Sequence, residues 1–124
     1  MKFGKLAIVG AITGAIVTGG IGIASADVST QSDACGADRV CIYKNNNYYV
    51  KIGERAPFNG VANIALANND EMSSWKNLTN VRAAWYHDQN GTGHCVGMAS
   101  SGHDNDINSY DDNKLSSWRT NRGC

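Results

Sequence analysis

The chain has 124 residues, with eleven Lys or Arg against eleven Asp or Glu and no formal net charge. No basic patch stands out to meet phosphates, which argues against a nucleic-acid partner. A single domain of this length hides only a modest core, so cross-links would help it.

At the amino terminus, Lys2 and Lys5 precede an apolar run from Leu6 to Ile23 and the small-residue triplet Ala24, Ser25, Ala26. That order reads as a secretory signal peptide over residues 1–26, cut after Ala26. The competing reading is an uncleaved anchor, since the run approaches the roughly 20 residues a spanning helix needs. Its Gly, Ala and Thr content and its A-x-A ending favour cleavage. Residues 27–124 then form one exported domain, membrane-free and expected to be a monomer. It carries nine Lys or Arg against eleven Asp or Glu, a balance of −2.

The four cysteines, Cys35, Cys41, Cys95 and Cys124, all lie in that exported part. An even number fits oxidation outside the cytosol. Three pairings are possible, and Cys35 with Cys41 plus Cys95 with Cys124 is favoured because each bridge then braces one half of the chain. Loop entropy assigns these bridges about 2.4 and about 3.6 kcal/mol. A zinc site is the alternative use, but no C-x-x-C spacing is present.

Strands are expected over 39–43 and 48–52, rich in β-branched and aromatic residues, with turn chemistry at Lys44-Asn45-Asn46-Asn47 between them. The pattern recurs as a strand over 81–86, a turn at Asp88-Gln89-Asn90-Gly91 and a strand over 94–98. A shift of 43 residues lays Arg39 on Arg82, Tyr43 on Tyr86, Asn47 on Asn90 and Ile64 on Ile107. It also lays Asn69-Asp70-Glu71-Met72-Ser73-Ser74-Trp75-Lys76 on Asp112-Asn113-Lys114-Leu115-Ser116-Ser117-Trp118-Arg119. No segment keeps helical periodicity over three turns. Two halves, about 35–78 and 79–124, are too few for a propeller and suit an all-β sandwich.

The Asx- and Ser-rich segment before Trp75 and Trp118 has two readings. Such side chains cap turns by bonding nearby backbone amides. Their order occurs twice, however, with Asx oxygens first and hydroxyls three to five residues later, and hard cations such as calcium want six to eight oxygens. The EF-hand pattern is absent, so this would be a different calcium loop.

The order N/D-N/D-x-x-S/T-S, present as Asn69 to Ser74 and as Asp112 to Ser117, resembles the paired calcium motif of βγ-crystallin domains. In that fold two Greek keys of about forty residues pack as a sandwich. The opening Cys35 and Cys41-Ile42-Tyr43 is similar to an exported, disulfide-braced actinomycete peptidase-inhibitor family whose founding members block metalloproteinases. The likeness covers nearly all of residues 35–119. It implies up to two calcium ions, held by the carbonyls of Glu71 and Lys114, the hydroxyls of Ser73 and Ser116, and the side chains of Asn69, Asp70, Asp112 and Asn113. Lys114 places a positive charge beside the second site, which predicts an unequal pair. At extracellular dissociation constants of about 10⁻⁴ to 10⁻³ M, millimolar calcium would add roughly 0.4 to 1.4 kcal/mol per site.

The resemblance also implies an extracellular protease as partner, with Cys95-Val96 as the inhibitory contact within a loop over 94–103. Here that loop is tethered through Cys95 to the distant Cys124, and an ordinary connecting loop is the plainer reading. The function expected is secreted peptidase inhibition on a calcium-binding scaffold. The alternative is a non-inhibitory calcium-binding or antimicrobial extracellular module. The chain is not read as an enzyme and no catalytic residue is assigned. Ser100 or Ser101 with His103-Asp104 has no nucleophile-elbow context, and His87, His94 and His103 read as surface histidines. Trp75 and Trp118 read as core rather than as a sugar platform, because they recur at the repeat offset.

Overall fold

The computed structural model describes residues 33–124; the expected signal sequence and the expected mature start at Asp27 lie outside the described residues. β-Branched and aromatic runs favour the pleated backbone, and Asn-rich stretches favour reversal. The chain accordingly runs through β1 (Val40–Tyr43), β2 (Lys51–Arg55), β3 (Ala62–Asn63), β4 (Ser74–Asn77), β5 (Ala83–Tyr86), β6 (Cys95–Met98), β7 (Gly102–Asp104) and β8 (Ser117–Arg119). Single 3-10 turns occupy Asn46–Tyr48, Leu66–Asn68 and Gln89–Gly91. Among the described residues no helix is long and apolar enough to cross a membrane.

The strand expected over 48–52 begins only at Lys51, because Asn47, Tyr48 and Val50 hold φ of 59°, 65° and 60°. Left-handed backbone cannot continue a ladder, so the reversal extends through residue 50. In the second half Asn90, Gly91 and Gly93 take the matching conformations, with φ of 60°, 67° and 76°. Each reversal is pinned from the opposite end of its half by a fully buried serine. Ser74 Oγ donates to the Asn45 carbonyl (2.6 Å) and accepts from the Tyr48 amide (3.1 Å). Ser117 Oγ donates to the Asp88 carbonyl (2.6 Å) and accepts from the Gly91 amide (2.9 Å). The recurring serine before each tryptophan therefore folds the first hairpin of its half down onto the last strand.

Two four-stranded antiparallel sheets result, in the orders β2-β1-β4-β7 and β3-β8-β5-β6. Each half thus builds three strands of one sheet and gives its third strand to the other. β7, from the second half, pairs with β4, and β3, from the first half, pairs with β8. This exchange locks the halves together through hydrogen bonds as well as through the core.

The core lies between the sheets and repeats the 43-residue correspondence. Val40, Ile42, Met72 and Trp75 face Ala83, Trp85, Leu115 and Trp118, joined by Met98 and Ile107. All three tryptophans are at most 6% exposed, which removes them as a sugar-binding platform. Gly53 has no room for a side chain: a Cβ there would meet Ile42 Cδ1 of the neighbouring strand at 2.9 Å and Trp118 Cζ2 of the other sheet at 3.2 Å.

Disulfides join Cys35 to Cys41 and Cys95 to Cys124, spanning 6 and 29 residues. The first ties the entering chain to β1, and the second ties edge strand β6 to the carboxyl end. A buried polar post stands at the junction of the halves. Asn77 donates to the carbonyls of Val81 (2.9 Å) and Met98 (3.2 Å) and accepts from the Thr79 amide (3.0 Å) and hydroxyl (2.7 Å). In the glycosylation sequon Asn77-Leu78-Thr79 the acceptor Asn77 and Thr79 are thereby buried, whereas Asn90 of the sequon Asn90-Gly91-Thr92 is exposed.

Candidate functional site

The two Asx/Ser loops, 69–74 and 112–117, meet across the pseudo-twofold relation of the halves. Their second residues, Asp70 and Asn113, both take left-handed φ, 60° and 59°. Asx residues tolerate that conformation, which explains their recurrence at the position. The turn aims each amide at the other loop, so that Asp70 N donates to Leu115 O (2.8 Å) and Asn113 N to Met72 O (3.0 Å).

Side chains cross in the same way. Ser73 Oγ lies 3.4 Å from Asn113 Oδ1, and Ser116 Oγ lies 3.4 Å from Asp70 Oδ1. Both serines are buried, at 8% and 6% exposure, while Asp70 and Asn113 are exposed, so each pair runs from the interior to the surface. The most informative atoms are Asn69 Oδ1 and Asp112 Oδ1, equivalent in the repeat, buried, and without a hydrogen-bond partner. An unpartnered buried acceptor costs about 1–3 kcal/mol, more when charged. Two such atoms at matching places want a cation or ordered water.

The donor types present, hydroxyl, amide and carboxylate oxygens, are those a hard cation such as calcium takes. Glu71 and Lys114 stand on the outer side of their loops. The Glu71 carboxylate reaches Lys44 (3.6 Å) at the surface, which leaves its backbone carbonyl as its contribution to any ion. Lys114 is exposed.

The segment around Cys95 and Val96 is the strand expected over 94–98, not part of a loop over 94–103. Residues 95–98 form β6 and 102–104 form β7, so only 99–101 remains as a tight turn between the two sheets. The cause is pairing: β6 lies against β5 with Cys95 opposite Tyr86 and Val96 opposite Trp85. Val96 is half-buried and packs against the core, while Gly97 is open to solvent. β6 is an edge strand, bridged to Cys124.

Ser101, His103 and Asp104 are not gathered into a relay. The Ser101 hydroxyl points to the Thr79 carbonyl (3.5 Å), and His103 Nδ1 bonds the Tyr48 hydroxyl (3.0 Å). The surface reading holds for exposed His103 but not for His87, whose side chain is only 17% exposed and contacts Asp111 at 2.9 Å. The hairpin could have shown only that His87 and His94 are neighbours, because a reversal at 88–91 sets residue 87 opposite residue 94; Asp111 comes from far along the chain.

Comparison with known proteins supplies the family. The model of peptidase inhibitor family I36 matches residues 28–98. No curated protein matches the sequence significantly. Among solved structures, a domain from a study of the evolution of the eye-lens βγ-crystallin domain fold superposes with a TM-score of 0.58 at 20% identity, over 71% of this chain and 90% of its own. A βγ-crystallin domain from Flavobacterium johnsoniae gives 0.52 at 26%, over 64% and 90%. A βγ-crystallin from an archaeon gives 0.55 at 23%, over 68% and 99%. The sandwich with exchanged strands is thus a βγ-crystallin fold.

Proposed function

Because the chain belongs to peptidase inhibitor family I36, we propose that it is a secreted inhibitor of an extracellular metalloprotease, carried on a scaffold that calcium stabilises. The family match over 28–98 carries the inhibitor reading. Export rests on the order of charges, apolar residues and small residues in 1–26. A protease cleft takes its substrate as an extended strand, and an edge strand presents the same shape. β6 is such a strand, with Cys95 and Val96 at its start, Gly97 exposed, and a disulfide fixing its first residue to Cys124. A braced edge loses little conformational entropy on docking and resists release if it is cut.

The two orphaned oxygens support calcium. One ion would take the Glu71 carbonyl, Ser73 Oγ and Asn113 Oδ1, and the second the Lys114 carbonyl, Ser116 Oγ and Asp70 Oδ1. Asn69 and Asp112 would complete the sites. Bound there, calcium would supply electrostatic stabilisation of the fold, and these residues would join the two halves at their crossing loops.

The test is a titration of a thermolysin-like metalloprotease and a subtilisin-like serine protease with the purified protein. Metalloprotease activity should fall linearly to near zero at about one equivalent while the serine protease is unaffected. Undiminished activity of both enzymes at stoichiometric protein would remove the inhibitor reading.

A further inference from the structure

We propose that His87, His94 and Asp111 form a binding site for one divalent transition-metal ion of the zinc class, separate from the oxygen-rich loops. The three residues come from just after β5, just before β6 and the loop before β8, and one ligand atom of each lies within 4.8 Å of the others. Backbone pairing sets the frame, because the His87 amide donates to the His94 carbonyl (3.0 Å) and places the two imidazoles on one side of the hairpin. Their rings stand 4.9 Å apart at 67°. Both Nε2 atoms face the same carboxylate oxygen, Asp111 Oδ1, at 2.9 Å from His87 and 3.6 Å from His94.

The two separations from Asp111 Oδ1 are near what an ion would impose. Zinc sits about 2.0–2.1 Å from imidazole nitrogen and about 2.0–2.2 Å from carboxylate oxygen, so tetrahedral donors lie about 3.4 Å apart. The observed pair of distances brackets that value, and a small shift admits the ion. The carboxylate is oriented by its own loop, where Asn108 Nδ2 donates to Asp111 Oδ2 (2.9 Å) and Asn108 Oδ1 accepts the Asp111 amide (3.1 Å). This leaves Oδ1 facing the histidines, the outer-sphere support that metal carboxylates commonly have. Trp85, stacked on His87 at 5.7 Å, and Tyr110, 5.6 and 5.4 Å from the two imidazole rings, wall the cluster. His94 is half exposed, so an ion can enter and keep an open position.

Donor type separates this site from the calcium loops, since imidazole suits zinc, copper and nickel while calcium and magnesium prefer oxygen. A plain His87–Asp111 contact would not need a second imidazole directed at the same oxygen.

The experiment is calorimetric titration of untagged, chelator-stripped protein with ZnCl₂ in millimolar CaCl₂, so that the oxygen sites are satisfied. One zinc per chain is expected. His94→Ala, at a half-exposed position, should leave the melting temperature unchanged and weaken zinc at least tenfold, while His103→Ala should leave zinc binding unchanged. Absence of zinc uptake, uptake equal in His94→Ala, equal weakening by His103→Ala, or uptake abolished by calcium would each overturn the site. No protease enters the measurement, so its outcome is independent of the inhibitor reading.

Discussion

Removing the bridge between Cys95 and Cys124 by paired alanine substitution tests how the edge strand is held. The bridge closes a span of 29 residues, against 6 for Cys35 and Cys41. Loop entropy then assigns it about 3.6 kcal/mol, and the shorter bridge about 2.4 kcal/mol. A domain of this size shifts its Tm by about 4–8 °C per kcal/mol, so the losses are roughly 14–29 °C and roughly 10–19 °C. The structure adds a reason for the larger figure to hold. Cys95 opens β6 at the edge of its sheet, and the chain after Arg119 is otherwise tied mainly by Thr120, which hydrogen-bonds Ala56 and Asn59. Thermal melts of C95A/C124A and C35A/C41A, followed by near-ultraviolet circular dichroism of the buried tryptophans, give the comparison. A smaller Tm loss for the long bridge than for the short one would refute the reasoning.

Asn77→Ala should cost about 2–4 kcal/mol in urea unfolding, because it removes the Asn77 partner of the Met98 carbonyl and of the Thr79 amide inside the fold, while the Val81 carbonyl keeps the Thr79 hydroxyl; a loss below about 1 kcal/mol would contradict the post. Val50→Gly should stabilise by about 0.5–1 kcal/mol, since a β-branched residue at φ 60° is strained by about 1–2 kcal/mol and glycine costs part of that in chain entropy; an unchanged or lower urea midpoint would deny the strain. Burial, reinforced by Asp33 and Glu54, pushes the Tyr43 phenol from 10.0 up to about 12. The folded state keeps a proton that the unfolded chain releases, so stability is full below pH 10 and declines as pH rises to 12, by up to about 1.4 kcal/mol per pH unit. Urea midpoints across that window should fall more steeply for the native protein than for Tyr43→Phe.

The repeat was legible because its chemistry is local. Ser74 and Ser117 cap the same kind of reversal, Asp70 and Asn113 take the same left-handed turn, and Trp75 and Trp118 fill the same place in the core. Strand exchange was not legible, since β3 has two residues and β7 three, too few to show alternation. Their partners are set by long-range register, not by propensity. The strand over 48–52 was misplaced because Tyr48 and Val50 have high β propensity but are forced into the reversal by the Ser74 bonds to Asn45 and Tyr48. The strand expected over 94–98 is present as Cys95 to Met98, and only the loop reading of 94–103 gave way, because that strand pairs with β5. The cluster of His87, His94 and Asp111 was hidden in the sequence because Asp111 lies far along the chain from the hairpin that brings the histidines together.

The crossing of the two Asx/Ser loops is tested most directly by calorimetric titration with CaCl₂ of the chelator-stripped protein and of its Ser73→Ala and Ser116→Ala variants. Two sites are expected in the native chain, the one beside Lys114 weaker, and one site in each variant. Absence of calcium binding, or two sites that survive both substitutions, would contradict it.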